Sequence, residues 1–316
     1  MSRKTFLRFA APAAAVLAAT ALAGCGSTSS SGGSPLAGSA SSGSVVVGSD
    51  NFAESILLAD VYGQALAAKG VKVTYKLDIG SREVTYGLVK SGAITLKPEY
   101  NGALLSYLDS SAAQTSTSEV DAAITSHLAS GLEILTPSTA QDNDTLTLSK
   151  QEAAALGLAK GATISDFITK LDGKSLIIGG SPEFQTRTEG ILGLEKDYGL
   201  KAAQITYKTL DAGGPLTEKA LTSGDVNAGD LFTTDPTISQ GGLLTLVDNK
   251  NIFGVQDVLP LVKKSALSQT GVDALNAVDA QLTSDVLLKL DTEVQVQKQD
   301  PLTVANNWLK SVNLGS

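Results

Sequence analysis

The chain has one cysteine, one histidine, one tryptophan and one methionine in 316 residues. A single Cys excludes a disulfide scaffold and a Cys-based zinc site. A single His, His127, removes multi-His metal sites and most His-dependent catalysis. His127 falls in the helical pattern 118–130 beside Ser126; neighbours on a helix point about 100° apart, so they form no triad, and a surface His is expected. The sequence carries no G-x-S-x-G elbow, no P-loop and no G-x-G-x-x-G after a strand. Basic residues are the minority, 24 against 32 acids. The net charge of −8 becomes −11 once Arg3, Lys4 and Arg8 are cleaved away with the leader described next. Such an acidic chain is a poor partner for nucleic acid or an anionic membrane surface. Acids are too many for any one carboxylate pair to stand out as catalytic, so no enzyme is expected and no cofactor is implied.

Residues 1–24 read as an export signal. Arg3, Lys4 and Arg8 form a positive start, and Phe9–Ala21 an Ala-rich apolar run too short to span a bilayer. Leu22-Ala23-Gly24-Cys25 then matches a bacterial lipobox, so lipidation of Cys25, palmitate included, and cleavage before it are expected. Residues 25–44 continue in Ser, Gly and Ala, which cannot bury a core and read as a tether with a reach of about 25 Å. The lipid would hold the protein at the outer face of the cytoplasmic membrane.

The remainder, about 270 residues, is long enough for one large or two mid-sized domains. With 42% apolar and 18% charged residues it reads as globular. Short β-branched or alternating runs predict strands at 45–48, 71–77, 93–96, 133–136, 145–149, 175–179, 204–210, 225–229, 243–247 and 257–262. Helical spacing predicts helices at 53–69, 81–90, 118–130 with Ser118 as cap, 272–295 and 301–311, where Trp308 packs in the core. Alternation of strands and helices argues for α/β layers with mostly parallel sheets. Gly179-Gly180 reads as a turn into a helix at Ser181-Pro182-Glu183, whose free N–H groups either hold an anion or are capped by Ser181.

Two stretches echo one another. In 84–100 and 216–232 a helix is followed by Ser-Gly, a strand and an aromatic: Ser91-Gly92 aligns with Ser223-Gly224, Ile94 with Val226, and Tyr100 with Phe232. This is either a chance likeness of two αβ units or the mark of two similar lobes. Two facing lobes would set Tyr100 and Phe232, just past their strands, on opposite walls of one cleft, because ligands in open α/β sheets bind at carboxyl strand ends.

Five segments, in order, resemble the osmoprotectant-binding proteins of ABC importers. Gly48-Ser49-Asp50-Asn51-Phe52-Ala53-Glu54-Ser55 is similar to their G-S-K-x-F-x-E-Q opening, and Gly80-Ser81-Arg82-Glu83 to their G-G-T-x turn. Pro98-Glu99-Tyr100-Asn101-Gly102 resembles P-E-Y-T-G, Ser181-Pro182-Glu183-Phe184-Gln185-Thr186-Arg187 resembles D-P-E-F-x-x-R, and Phe232-Thr233-Thr234-Asp235 resembles Y-T-T-D. The resemblance implies a two-lobed periplasmic-binding-protein fold of type II with two crossovers, lobe 1 being 45–142 plus 255–316 and lobe 2 being 143–254. It also implies a monomer that delivers a small solute to an ABC permease and its ATPase.

In that family a quaternary ammonium sits in a cage of Tyr rings and an Arg holds the carboxylate. Ring faces suit a trimethylammonium, which donates no strong hydrogen bond, at about 0.5–2 kcal/mol per contact. Carried over by motif, Tyr100 and Phe232 stand at cage positions, Asp144 and Gln256 fall where further Tyr residues are usual, and Arg187 matches the carboxylate-binding Arg. Asp50 replaces an assisting Lys and Ala103 a Thr. Asp50 and Asp144 would then favour a cation or a polyhydroxylated solute, stacked between Tyr100 and Phe232. Each residue also has a plainer reading: Asp50 or Asn51 as a helix cap, Arg187 as a surface side chain, Phe232 as core. A ligand-sensing domain docked on a membrane receptor, or a secreted acid-pair hydrolase, are the alternative functions.

Overall fold

The computed structural model describes residues 44–112 and 116–316. The expected leader, Cys25 and the tether up to residue 43 lie outside the described residues. Among the described residues ten strands form two five-stranded sheets. They are β1 (Ser44–Gly48), β2 (Lys72–Lys76), β3 (Leu96–Tyr100), β4 (Leu132–Ile134), β5 (Asp144–Ser149), β6 (Leu176–Gly180), β7 (Ile205–Thr209), β8 (Ala228–Phe232), β9 (Leu243–Thr245) and β10 (Val258–Lys263). Helices α1 (Ala53–Ala68), α2 (Arg82–Ser91), α3 (Asn101–Leu108), α4 (Thr117–His127), α5 (Lys150–Ala155), α6 (Ile164–Leu171), α7 (Ile191–Lys196), α8 (Pro215–Ser223), α9 (Pro236–Ser239), α10 (Gln269–Asp279), α11 (Ser284–Asp291) and α12 (Pro301–Ser311) fill the gaps.

The sheets share one topology. The first runs β2-β1-β3-β10-β4 and the second β7-β6-β8-β5-β9. In each, three strands are parallel and a fourth, β10 or β5, enters antiparallel. Those two antiparallel strands are the ones reached by crossing from the other sheet, which gives two lobes. The parallel strands need helical crossovers, and the fully buried Val45-Val46-Val47 run suits a sheet covered on both faces. One face of the first sheet packs against α1, α10, α11 and α12 through Leu57, Leu58, Leu66, Leu275 and Leu309, with Trp308 in the same core. Its other face buries Tyr86, Val89, Ile94, Leu105 and Ile124. A separate core around Leu146, Phe167, Ile178 and Leu194 serves the second sheet.

The echo holds position for position in the backbone. Helix α2 ends at Gly92 (φ 81°, ψ 15°) and α8 at Gly224 (φ 77°, ψ 16°), a left-handed turn that glycine adopts without penalty. Gly92 N–H donates to Val89 O and Ala93 N–H to Leu88 O; Gly224 N–H donates to Leu221 O and Asp225 N–H to Ala220 O. Ile94 and Val226 then bury against their sheets. The expected strands 93–96 and 225–229 start later, at Leu96 and Ala228, because the preceding residues close the helix. Tyr100 and Phe232 are therefore the last residues of β3 and β8, not residues beyond them.

Other expectations are corrected. The helix expected at 272–295 is broken: Thr283 accepts from Val286 N–H and starts α11 anew, and 292–296 form a π-turn. Gly179 and Gly180 belong to β6, and Ser181-Pro182-Glu183 begins a series of turns instead of a helix. There the Ser181 hydroxyl accepts from Phe184 N–H at 3.1 Å, which answers the anion question in favour of the cap. Ser116, not Ser118, precedes α4, and neither caps it by side chain.

Candidate functional site: a cleft lined by rings and carboxyls

The carboxyl ends of the two parallel strand sets face one another across a cavity. Tyr100, Phe232, Arg187, Asp144, Asp50 and Gln256 all line it, although they come from both lobes and the second crossover. Their surroundings differ from the sequence expectation in several respects.

The side chain that touches both expected rings is a third aromatic, Phe52. Its centroid lies 6.0 Å from Tyr100 and 5.4 Å from Phe232, in tilted contacts. Phe52 is the extended residue just before α1 (φ −138°, ψ 158°), which aims its ring into the cleft. Phe184 adds a fourth ring to the lining and stacks on Phe253. Phe232 fits because position 213 is glycine at φ +55°; a Cβ there would overlap its ring.

Asp50 does not offer a free charge. The fully buried Lys97 ammonium reaches its oxygens at 2.7 and 2.9 Å, and the Thr85 hydroxyl donates to it at 2.6 Å. Lys97 also reaches Glu99 at 2.8 Å, and Glu99 receives Arg82 at 2.9–3.1 Å. Two cations and two anions thus close a buried network, as burial of charge requires. Burial alone would raise the Glu99 pKa, but Arg82 and Lys97 overcome it and hold it at about 2. Neither Asp50 nor Asn51 caps α1 by side chain.

Gln256 is corrected similarly. It is 1% exposed; its Oε1 accepts from Ala103 N–H at 2.9 Å and its Nε2 donates to Phe253 O at 2.7 Å. Its amide joins the second crossover to α3 and is engaged by backbone. Asp144 meets Asp230 from the neighbouring strand β8, and burial raises both, Asp230 well above the usual carboxylate range. The charge of Asp144 adds to burial in raising Asp230. Arg187 spans the cleft: its Nε and terminal nitrogen donate to Glu83 of α2 at 2.9–3.2 Å.

A second cluster lies behind Tyr100. Its hydroxyl donates to Glu54 Oε1 at 2.6 Å; Thr234 Oγ1 lies 2.6 Å from Glu54 Oε2 and 2.8 Å from Asp142 Oδ1. One hydroxyl proton serves only one of those oxygens, so one of the two carboxyls is protonated and donates to Thr234. Burial raises Glu54, Asp142 and Asp235 well above the usual carboxylate range, and Asp291, which faces Glu54, to about 7. These hydrogen bonds tie α1 and the end of β3 to the first crossover and to Thr234 just past β8.

The sequence reading missed Phe52, Glu54, Lys97, Asp142 and Thr234 as parts of the site. Phe52, Glu54 and Thr234 stand inside the motifs already quoted. Lys97 and Glu99 share one face of a strand by simple alternation, a signal that was present.

Residues 43–311 match the family model of the substrate binding domain of ABC-type glycine betaine transport systems. The chain belongs to this family. The glycine betaine-binding protein YehZ of Escherichia coli is 30% identical over 84% of this chain and 90% of its own length. A glycine-betaine-binding protein of Pseudomonas aeruginosa is 25% identical over 88% and 91%. The solved structure of a glycine betaine/carnitine/choline ABC transporter protein overlays with a TM-score of 0.67 at 18% identity, covering 85% of this chain and 99% of that one. The fold is the two-lobed type II periplasmic-binding-protein fold expected from sequence. Members of this glycine betaine family are solute-binding transport proteins, and this chain is the substrate-binding component of such an importer.

Proposed function

We propose that this protein captures a small quaternary ammonium solute outside the cytoplasm and passes it to an ABC permease and its ATPase. The observation that carries the reading is the contact of Phe52 with both Tyr100 and Phe232 on a cavity that five carboxyl groups also line. Ring faces attract a soft cation, and the carboxyl groups of Asp142, Asp144, Glu183 and Glu189 line the same cavity. The named ligand of the Escherichia coli and Pseudomonas aeruginosa relatives, glycine betaine, is of this class. The candidate ligand-binding set is Tyr100, Phe52, Phe232 and Arg187, with Asp144 behind them and Asp50 and Gln256 as supports.

The lobes are 45–142 plus 255–316 and 143–254, and they close about the paired crossovers, where Asp142 N–H donates to Gln256 O and Asn143 to Gly254 O. The chain is a monomer held to the membrane by lipid on Cys25. A thermal-shift screen of the detergent-solubilised full chain against choline, glycine betaine, carnitine, polyamines and small phenols tests the reading. A ligand at 100 times its dissociation constant adds about 2.7 kcal/mol. Stabilisation by phenols or polyamines alone would overturn the quaternary ammonium assignment.

A further inference from the structure

Both guanidiniums of the cavity already hold a carboxylate. Arg82 is buried, and its partner Glu99 fully so; that pair also supports Lys97 and belongs wholly to the first lobe. Arg187 is different. It reaches from the second lobe to Glu83 in the first turn of α2, with Nε and the terminal nitrogen on Oε1 at 3.2 and 2.9 Å and the same nitrogen on Oε2 at 3.0 Å. The two side chains are 31% and 45% exposed. This pair can exchange partners with what enters the cleft, whereas the Arg82 pair cannot without leaving buried charge behind.

We infer that Glu83 is a specificity-determining residue, a built-in carboxylate that occupies Arg187 and biases the site toward cations lacking a carboxylate of their own. The inference rests on the quaternary ammonium reading above. A zwitterion's carboxylate has to take Glu83's place on the same guanidinium fork, so one ion pair is exchanged for another with no net gain. The displaced Glu83 would then lie near an incoming anion held on Arg187, at the edge of a cavity lined by Glu183, Glu189 and Asp144. A solute with the same ammonium head and a hydroxyl in place of the carboxylate leaves the Glu83–Arg187 pair intact. It gains the rings without that exchange.

Choline and glycine betaine are the matched probes, because they share a trimethylammonium and differ in CH₂OH against COO⁻. Their affinities are measured by calorimetry on the full chain, on Glu83→Gln and on Arg187→Gln. The wild type is expected to prefer choline about tenfold or more. Glu83→Gln narrows that ratio at least about tenfold, through tighter betaine binding, with choline moving less than about threefold. Arg187→Gln brings no betaine gain. Equal shifts for both solutes in Glu83→Gln would overturn the inference, since they would mark a mere latch on closure. A wild-type preference for betaine would overturn it too. If neither solute binds any variant, the ammonium reading fails, and the carboxylate on Arg187 is then tested directly by ¹³C NMR. The Glu83 carboxyl should titrate lower in the wild type than in Arg187→Gln; identical titration would remove Glu83 from Arg187 and end the proposal.

Discussion

Thr234 of the second lobe places its hydroxyl between Glu54 of α1 and Asp142 of the first crossover, at 2.6 and 2.8 Å. All three groups are buried. The relationship means that a proton beyond the threonine's own is stored in this contact, and that the contact joins both lobes to the crossover.

Glu54→Gln is expected to be tolerated at neutral pH, within about 1 kcal/mol of wild type, because an amide can accept from Tyr100 and donate to Thr234 as the protonated acid does. Thr234→Val, which leaves buried carboxyls facing a methyl group, is expected to cost about 1–3 kcal/mol. Urea unfolding of both variants checks the pair.

Stability should fall as pH rises from about 4 to 7. Burial lifts Asp291 to about 7, with Asp142 and Asp235 adding to it. Between the ordinary carboxylate value of about 4 and that value the folded state binds more protons than the unfolded chain, so the contribution is complete at low pH and lost as pH rises. Glu54 and Asp142 act in the same direction. Glu99, held at about 2, acts oppositely: its contribution is present above the ordinary value and lost as pH falls toward 2. Asp291→Asn should flatten the upper limb in melts recorded from pH 4 to 8.

Removing Lys97 should be among the most damaging single changes. Lys97→Met leaves Asp50 buried without its cation and weakens the Glu99 site, at an expected cost of about 3–5 kcal/mol. The double variant Asp50→Asn, Lys97→Met should recover a substantial part. Non-additive unfolding energies in the double-mutant cycle are the readout.

Phe52→Ala should weaken quaternary ammonium binding about tenfold or more, or about 1.4 kcal/mol. It removes the ring in contact with both Tyr100 and Phe232. Tyr100→Phe keeps the ring and should alter affinity little, while losing the Glu54 hydrogen bond and about 1 kcal/mol of stability. Calorimetry and unfolding on the same samples separate the two effects.

Gly213→Ala should lower solute affinity without touching the solute. The position has φ +55°, and the added Cβ overlaps the Phe232 ring. Unchanged affinity would show that Phe232 is free to move aside.

Much of the architecture was legible in local pattern. Buried β-branched runs and helical spacing located most elements, and the Ser-Gly echo anticipated Gly92 and Gly224 as matching helix ends. Where the reading slipped, a local cap decided the outcome: Thr283 restarts a helix that apolar spacing alone would continue, and Ala93 and Ile94, whose N–H groups return to Leu88 O of α2, look like the start of β3. The six residues nominated for the site do line one cavity, but residue type misled about what some of them do there.

By itself the sequence determined the class of the protein: an acidic chain with alternating α/β elements and motifs that bring aromatics to strand ends. Those features are local, and propensity, periodicity and spacing report them directly. Only the tertiary structure decided which charges are free. Asp50 is answered by Lys97, 47 residues away, Arg187 by Glu83, 104 away, and Gln256 by the backbone of Ala103, 153 away. The free energy of a buried charge depends on the partner that folding sets beside it, and no local pattern records that partner.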